Sequence, residues 1–412
     1  MNNTTPQENR LPRSLVLLMA MGTGFGVASL YYAQPILSLL AKDLHASDHV
    51  VGMIPTMTQL GYALGILLLS PLGDRHDRRT IILAKAGLLT LSLVVCAMAQ
   101  GIGFMIVASL LMGISATLAQ DIVPAAAHLA PHQIRGKVIG TVMTGLLLGI
   151  LLSRVASGVV AEQFGWRVVY AAAALSIAIF GALAWWRLPR FAASTQLSYS
   201  SLLGSMQKLW RAQPSLRQAS YAQGLLSMSF SAFWTTLALM LHHSFHLGSS
   251  VAGAFGLAGA AGSIAAPLAG RMADRHTPAL VALMGCGIAT ISFAAMGLAG
   301  FFSQHAQLVL LAVVAVGFDF GVQSSLVAHQ TVVFGLATEA RSRVNALLIT
   351  CMFLGMAAGS VLGSMALARW GWMGVIAFAT TTSAGAFCVR LGGNCTAQKW
   401  IDPQLCKHGN KA

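Results

Sequence analysis

Three ionisable side chains lie inside long apolar stretches of this chain. Asp319 is near the middle of the segment VGFDFGVQ, Asp121 lies in LAQDIVP, and Arg154 lies in a third apolar stretch. A charge in hydrocarbon costs several kcal/mol unless protein or water surrounds it, so such residues commonly mark ion and proton pathways. A carboxyl at the depth of Asp319 could exchange a proton, or it could form a structural hydrogen bond to a neighbouring helix. The sequence leaves both alternatives open.

Asp121 is the second candidate for proton exchange, and Pro124 opens the helix backbone beside it. Arg154 lies toward the opposite end of its own stretch. With a rise of about 1.5 Å per residue, the two differ in depth by more than roughly 10 Å, so we expect no direct ion pair. Arg154 either extends toward the interface or faces a cavity and attracts an anionic group.

Aromatic and neutral polar residues occur in two apolar stretches at matching positions and could contact a solute. They are Tyr31, Tyr32 and Gln34 in LYYAQP, and Phe233, Trp234 and Thr236 in AFWTTL. Such groups suit a neutral or amphipathic solute, whereas aromatic residues also line the membrane interface. Further candidates are Gln59, Gln120, Gln323, His329 and Gln330. The histidines at 242, 243 and 246 form one short cluster, and we expect no metal site there.

The composition requires a membrane. Of 412 residues, 56% are hydrophobic and only 9% are charged, whereas soluble domains carry about a quarter charged residues. The net charge of +14 comes mostly from Lys and Arg on one side of the predicted spans, Lys85 among them; Lys42, Arg167 and Arg369 fall on the other side. This bias predicts cytoplasmic termini and argues against a nucleic-acid partner. The six cysteines lack ligand spacing and predict no disulfide framework.

Twelve apolar segments are each close to bilayer length. We number them spans 1 to 12, at about 14–38, 50–70, 80–100, 103–127, 137–160, 167–187, 219–241, 249–269, 278–300, 305–328, 344–366 and 371–389. The predicted organisation is a cytoplasmic tail at 1–13, one half at 14–189, a linker at 190–218, a second half at 219–389 and a cytoplasmic tail at 390–412. Apolar spacing within the linker predicts an amphipathic helix lying on the cytoplasmic leaflet.

A charged turn follows span 2 and returns after span 8. The first copy, SPLGDRHDRR, contains Asp74, Arg75, Arg78 and Arg79; the second, GRMADRH, contains Asp274 and Arg275. This loop resembles the one between helices 2 and 3 of the major facilitator superfamily, although Ser70 and Asp77 stand where that family has glycine. The resemblance implies that these six charged residues form a conformational latch.

The same resemblance implies an all-α membrane protein, with twelve transmembrane helices in two pseudo-symmetric six-helix halves around a central cavity. It also implies secondary active transport in the bacterial cytoplasmic membrane, without a cofactor, by a monomer that binds protons and a small molecule. The chain is most similar to sugar-efflux and multidrug efflux permeases, so proton-coupled export is expected. Two antiporter signatures are replaced, at Ser109 and at Gly149-Ile150. Proton-coupled uptake, a channel and a membrane-embedded enzyme are the alternatives.

Two further expectations concern packing and the C terminus. Glycines recur at spacings of three or four in spans 2, 5, 8 and 11, the spans that meet between the two halves in the family. We therefore expect close contact between the halves there. Span 12 is short and rich in Thr, and the tail after it lacks apolar periodicity. The reading frame is therefore expected to have changed near residue 390, leaving an unselected tail.

Overall fold

The computed structural model describes residues 11–131, 133–191, 198–259, 268, 277–336 and 340–401. Within these ranges every regular element is a helix. The first half contains α-helices at Arg13–Ala28, Leu37–Asp43, Asp48–Val51, Met53–Leu69, Leu72–Arg75, Arg78–Ala97, Ile102–Ala116, Leu118–Leu129, Arg135–Phe164 and Trp166–Arg187. After the linker helix Tyr199–Ala212 come Pro214–Phe245, Ser249–Ala254, Pro278–Met296, Gln304–Leu336 and Arg341–Ile401.

Most of these helices are long and apolar enough to cross a bilayer. The described part of the chain contains nine such stretches, and the shorter apolar helix Arg13–Ala28 precedes them. The last stretch, Arg341–Gly392, is interrupted at Gly371, whose positive φ of 63° turns the chain between predicted spans 11 and 12. The protein is therefore an all-α membrane protein, as the sequence predicts.

Span 1 is broken where its polar residues lie. The helix ends at Ala28, and a short 3-10 helix begins at Gln34. Pro35 has no backbone N–H, and its ring clashes with the carbonyl four residues earlier in a regular α-helix, so the interruption follows from the sequence LYYAQP. This break places Tyr31 and Gln34 inside the protein, where both are buried.

The linker helix packs on protein, in contrast to the predicted position on the leaflet. Its residues Leu202 and Met206 are buried. Tyr199 donates a hydrogen bond of 2.8 Å to the Leu68 carbonyl at the end of span 2. Ser205 accepts one of 2.7 Å from Arg343 at the start of span 11. The apolar side of this helix is thus covered by the two halves that it joins.

The glycine rows named in spans 2, 5 and 11 contact helices of their own half, although these spans do meet the other half through other residues. A side chain at Gly149 would collide with the Gly24 backbone of span 1, and one at Gly355 would collide with the Gly224 backbone of span 7. Span 8 differs, because a Cβ at Gly253 would lie 2.5 Å from the Arg154 carbonyl in the other half. Small residues therefore hold spans 5 and 8 together across the central boundary.

Contacts between the halves seal the side opposite the termini. Ser360 donates a hydrogen bond of 3.1 Å to the Gly52 carbonyl, and Ser249 donates one of the same length to Gly158. The Ser250 amide donates at 2.6 Å to the Glu162 carboxylate. These bonds join span 11 to span 2 and span 8 to span 5.

The last helix extends beyond predicted span 12 and ends at Ile401. Arg390 is buried, and the Val389 carbonyl accepts a hydrogen bond of 2.7 Å from Gln218. The helix therefore packs on the second half at least to Arg390. The frame change proposed near this residue stays a prediction.

Replacing Asp43 with asparagine should weaken one contact on the sealed side. Asp43 accepts hydrogen bonds from Arg167 at 2.5 Å and Trp166 at 2.8 Å, and these bonds, that from Arg167 above all, lower the pKa of Asp43. Because both charges are half-exposed, we expect a loss of less than about 1 kcal/mol. A depressed carboxyl pKa stabilises the fold above the unfolded-state pKa and ceases to do so as the pH falls through the folded-state value. Thermal unfolding in detergent should thus separate Asp43→Asn from wild type at neutral pH but not in strong acid; an equal difference at both would contradict this.

Candidate functional site

Arg154 lies at the centre of the protein and not at the membrane interface. Its side chain is 2% exposed. The guanidinium Nε donates a hydrogen bond of 2.9 Å to the Gln34 amide oxygen at the break in span 1. Its Nη2 has no hydrogen-bond partner among the described residues, and neither has Nε2 of Gln34. Of the two alternatives left by the sequence, the buried one is observed.

Aromatic rings surround the guanidinium. Its central carbon lies 4.2 Å from the Trp234 ring centroid, 4.8 Å from that of Tyr31 and 5.8 Å from that of Phe230. Each such cation–π contact contributes about 0.5–2 kcal/mol. Spans 1 and 7 thereby hold a permanent positive charge away from water.

Asp319 supplies the opposite charge from span 10. It is 3% exposed, and the Trp234 indole N–H lies 3.4 Å from its Oδ1. A methyl group at Gly259 of span 8 would lie 2.7 Å from Asp319 Oδ2 and 3.5 Å from Arg154 Nη1. The acid and the base therefore face the same small glycine, yet the described residues include no ion pair between them within 4.0 Å. A guanidinium from one half and a carboxyl from the other thus lie close together without a direct bond.

Two of the predicted cavity residues are structural. Phe233 packs in the apolar core of the second half, with ring centroids 4.7 Å from Phe318 and 5.8 Å from Trp372. The Thr236 hydroxyl donates to the Ala232 carbonyl of its own helix at 2.7 Å. Tyr32 is half-buried against the core of the first half.

The remaining polar candidates form separate pairs. Gln59 accepts a bond of 3.1 Å from Ser231, which joins spans 2 and 7 across the central boundary. The other pairs are Gln120 with the Tyr62 hydroxyl at 3.0 Å, His329 with Gln223 at 2.9 Å, and Gln330 with Asn345 at 3.2 Å. Gln323 is half-buried. None of these bonds connects to the Arg154 group.

Asp121 forms a buried ion pair with Lys85. Lys85 Nζ lies 2.5 Å from Asp121 Oδ2, and the side chains are 6% and 5% exposed. The sequence counts Lys85 with the basic residues on one side of the spans, and the structure adds that its side chain is buried. The ion pair links spans 3 and 4, and a role of Asp121 in proton exchange stays a prediction.

The charged turn after span 2 fixes the ends of three helices. Asp77 caps helix Arg78–Ala97 by accepting from the Arg79 amide at 3.0 Å, and it also accepts from the Phe191 amide at 2.8 Å. Arg78 donates to the Gly73 carbonyl at 2.9 Å. Arg79 donates to the Trp185 carbonyl at the end of span 6. Asp77 is therefore a helix N-cap, whereas the sequence marks it only as a departure from the family pattern. An aspartate two residues before the amide that it caps, here that of Arg79, is typical of an N-cap and was the available signal.

The other members of the predicted latch are less informative. Arg75 is exposed at the surface. The Asp74 side chain, Asp274 and Arg275 lie outside the described part of the structure.

In the His cluster, His243 lies 3.5 Å from Asp48, and the described residues contain no group suited to hold a metal.

Comparison with known proteins identifies the family to which this chain belongs. The family model described as Major Facilitator Superfamily matches residues 16–334. The chain belongs to the major facilitator superfamily. Proteins of this class are transporters and not enzymes, so the alternative of a membrane-embedded enzyme is excluded.

Two relatives of this superfamily are similar over most of their length. The putative uncharacterized transporter YgaY of Escherichia coli K12 is 36% identical over 372 residues, which cover 90% of this chain and 93% of the relative. The probable transporter SCO4007 of Streptomyces coelicolor is 33% identical, covering 93% and 87%. A crystal structure of a mutant of the nucleoside transporter NupG has a TM-score of 0.76 at 11% identity, covering 92% of this chain and 99% of that one. The likeness to NupG concerns the fold alone.

Proposed function

We propose that this superfamily member couples proton movement to the export of a small solute across the cytoplasmic membrane, by alternating access. The observation that carries the proposal is Asp319, a buried carboxyl facing Arg154 across the boundary between the halves. A carboxyl at such a boundary can carry a proton from one side to the other when the halves rock around it. The support for export as the direction is the resemblance of the sequence to efflux permeases.

Proton-coupled uptake is a second candidate, and Arg154 favours it. A site that holds Arg154 and deprotonated Asp319 is neutral overall. An anionic solute bound beside Arg154 would restore that balance if Asp319 were protonated at the same time. Proton and solute would then travel together, whereas export by antiport requires that they bind in turn.

Purified protein in liposomes tests coupling and direction together. The lumen contains a pH indicator, labelled small solutes are supplied outside, and a pH gradient of either sign is imposed. The expected result is solute flux that reverses with the gradient and is lost with a proton ionophore. Opposite movement of solute and protons supports export, and parallel movement supports uptake. Solute flux with no response to the gradient would contradict proton coupling.

The proposal places both termini in the cytoplasm and treats the monomer as the working unit. The concentration of Lys and Arg on the side of the termini supports this orientation. The sealed contacts between spans 2 and 11 and between spans 5 and 8 would then face away from the cytoplasm. A cysteine accessibility assay at the linker and at the turn after span 7 tests this orientation.

The latch proposal predicts that Asp74→Asn lowers transport without loss of membrane insertion. In the resembled family the aspartate faces the N terminus of helix 11, where a carboxylate is stabilised by free N–H groups and by the helix dipole at roughly 0.3–1 kcal/mol. We therefore expect a fall of two- to fivefold in initial rate, measured per amount of folded protein. His76→Gln, at an exposed residue of the same turn that is not part of the predicted latch, is the control and should transport like wild type. A well-inserted Asp74→Asn protein that transports at the wild-type rate would remove Asp74 from the latch.

A further inference from the structure

We propose that the site around Arg154 binds the carboxylate of a small organic anion. The proposal rests on the function proposed above only in requiring that a solute enters this site. It replaces the neutral or amphipathic solute expected from the sequence with an anionic one. The evidence is the set of polar atoms that the protein leaves unbonded at its centre.

Two of these atoms are hydrogen-bond donors on side chains that are bonded to each other. Arg154 and Gln34 are joined through the guanidinium Nε and the amide oxygen. This bond leaves Nη2 of Arg154 and Nε2 of Gln34 unsatisfied, although each side chain is at most 2% exposed. Guanidinium stays charged and has donors only, so an acceptor is the one kind of group that can satisfy it. A carboxylate matches two parallel N–H groups and forms charge-assisted bonds with them.

Asp319 does not fill this role in the observed state. Its carboxyl accepts from Trp234 and, although it faces the same glycine as Arg154, it forms no ion pair with Arg154 within 4.0 Å. The groups that face Asp319 are Arg154 of span 5, Trp234 of span 7 and Gly259 of span 8, together with Tyr31 near the break in span 1. Among the described residues the guanidinium is therefore held by rings and one amide, and its Nη2 is left for a second anion.

The surroundings also indicate the body of the solute. A gap beside the Arg154 guanidinium, too narrow to hold a water molecule in the observed state, is lined by Trp234 and by the apolar side chains of Pro35, Leu237 and Ala252. When the halves move apart and widen it, an organic anion with a flat apolar or aromatic body would place its carboxylate on Arg154 and its ring against Trp234. A cation would instead be repelled by Arg154, and a neutral amide would form weaker bonds there.

Three matched probes differing mainly in charge test this proposal: benzoate, benzamide and benzylamine, followed by phenylacetate and cinnamate with their amides. Binding to the full-length protein in detergent is measured as equilibrium binding of the labelled probe. We expect the carboxylates to bind and their amides to bind roughly tenfold to a hundredfold more weakly, because a charge-assisted pair is replaced by a neutral one. No carboxylate binding, or equal binding of acid and amide, would overturn the proposal.

Variants assign the binding to this site. Arg154→Gln should weaken carboxylate binding by a similar factor and leave amide binding unchanged. Since that change leaves Asp319 without its facing charge, the double variant Arg154→Gln/Asp319→Asn is measured beside it and should show the same loss of selectivity in a neutral site. Arg167→Gln, an arginine of the same half that bonds to Asp43, is the matched control and should bind like wild type. Wild-type carboxylate binding by a folded double variant would contradict the assignment.

The two proposals fail in different ways. Selective carboxylate binding without any response of flux to a pH gradient would support the anion site and contradict proton coupling. Gradient-driven flux of amides or amines with no preference for carboxylates would support coupling and contradict the anion site.

Discussion

We expect Asp319→Asn to abolish gradient-driven accumulation while the protein still exchanges solute. Asparagine has nearly the same shape and can still accept from the Trp234 N–H that now lies 3.4 Å from Oδ1. It cannot carry a proton. A carrier with no proton to move can still change its orientation with solute bound, so counterflow persists while accumulation against a gradient falls to passive equilibration.

The measurement compares two assays on one preparation of liposomes. Uptake driven by an imposed pH gradient reports coupling, and exchange of labelled for unlabelled solute at equal pH reports binding and reorientation. Gln330→Ala, on the same helix and bonded to Asn345 away from Arg154, is the control and should keep both activities. Accumulation at the wild-type level by Asp319→Asn would assign Asp319 to structure, the alternative that the sequence left open.

The apolar spans and the break in span 1 could be predicted from the sequence. Hydropathy determines which segments enter a bilayer, and the sequence also contained the cause of the break, since Pro35 removes the helix bond to the Tyr31 carbonyl. The position of Arg154 opposite Asp319 was not accessible in this way. The two residues belong to spans 5 and 10 in different halves, and local periodicity does not fix how two helices are aligned across a boundary.

Glycine spacing shows a related limit. A row of glycines predicts that another backbone comes close, but it does not say which one. The backbone of span 1, in the same half, packs against Gly149, whereas the backbone of span 5, in the other half, packs against Gly253. The sequence patterns are alike, and only the three-dimensional arrangement separates them.

The burial of Lys85 shows a third limit. A lone lysine near the start of a span is ordinarily read as one that extends to the interface. Here its ammonium turns inward to Asp121, and both side chains are buried. A carboxylate in the neighbouring span at similar depth was the available signal, because a buried charge in a membrane needs a partner of opposite sign.

Lys85→Met should destabilise the protein strongly. It removes the cation from a buried carboxylate, and breaking a buried pair in this way costs about 3–5 kcal/mol. Asp121→Asn, which leaves the Lys85 ammonium without its carboxylate, should cost a similar amount. The double variant Lys85→Met/Asp121→Leu removes both charges and should recover most of the loss, because replacing a buried pair with apolar residues is often neutral or stabilising. The half-life of monodisperse protein in detergent at a fixed temperature reports the effect.

The same three variants also decide whether the pair does more than hold spans 3 and 4 together. A Cβ on Gly73 would lie 3.0 Å from Asp121 Oδ1, so the backbone of the charged turn rests directly against this carboxylate. If the pair only stabilises the fold, the double variant transports at nearly the wild-type rate per folded molecule and keeps its response to a pH gradient. If the double variant is stable but its response to the gradient is lost, Asp121 takes part in proton movement and the structural assignment is wrong. If the double variant is stable and responds to the pH gradient but transports slowly, the contact between Asp121 and Gly73 connects the charged turn to the movement of the two halves.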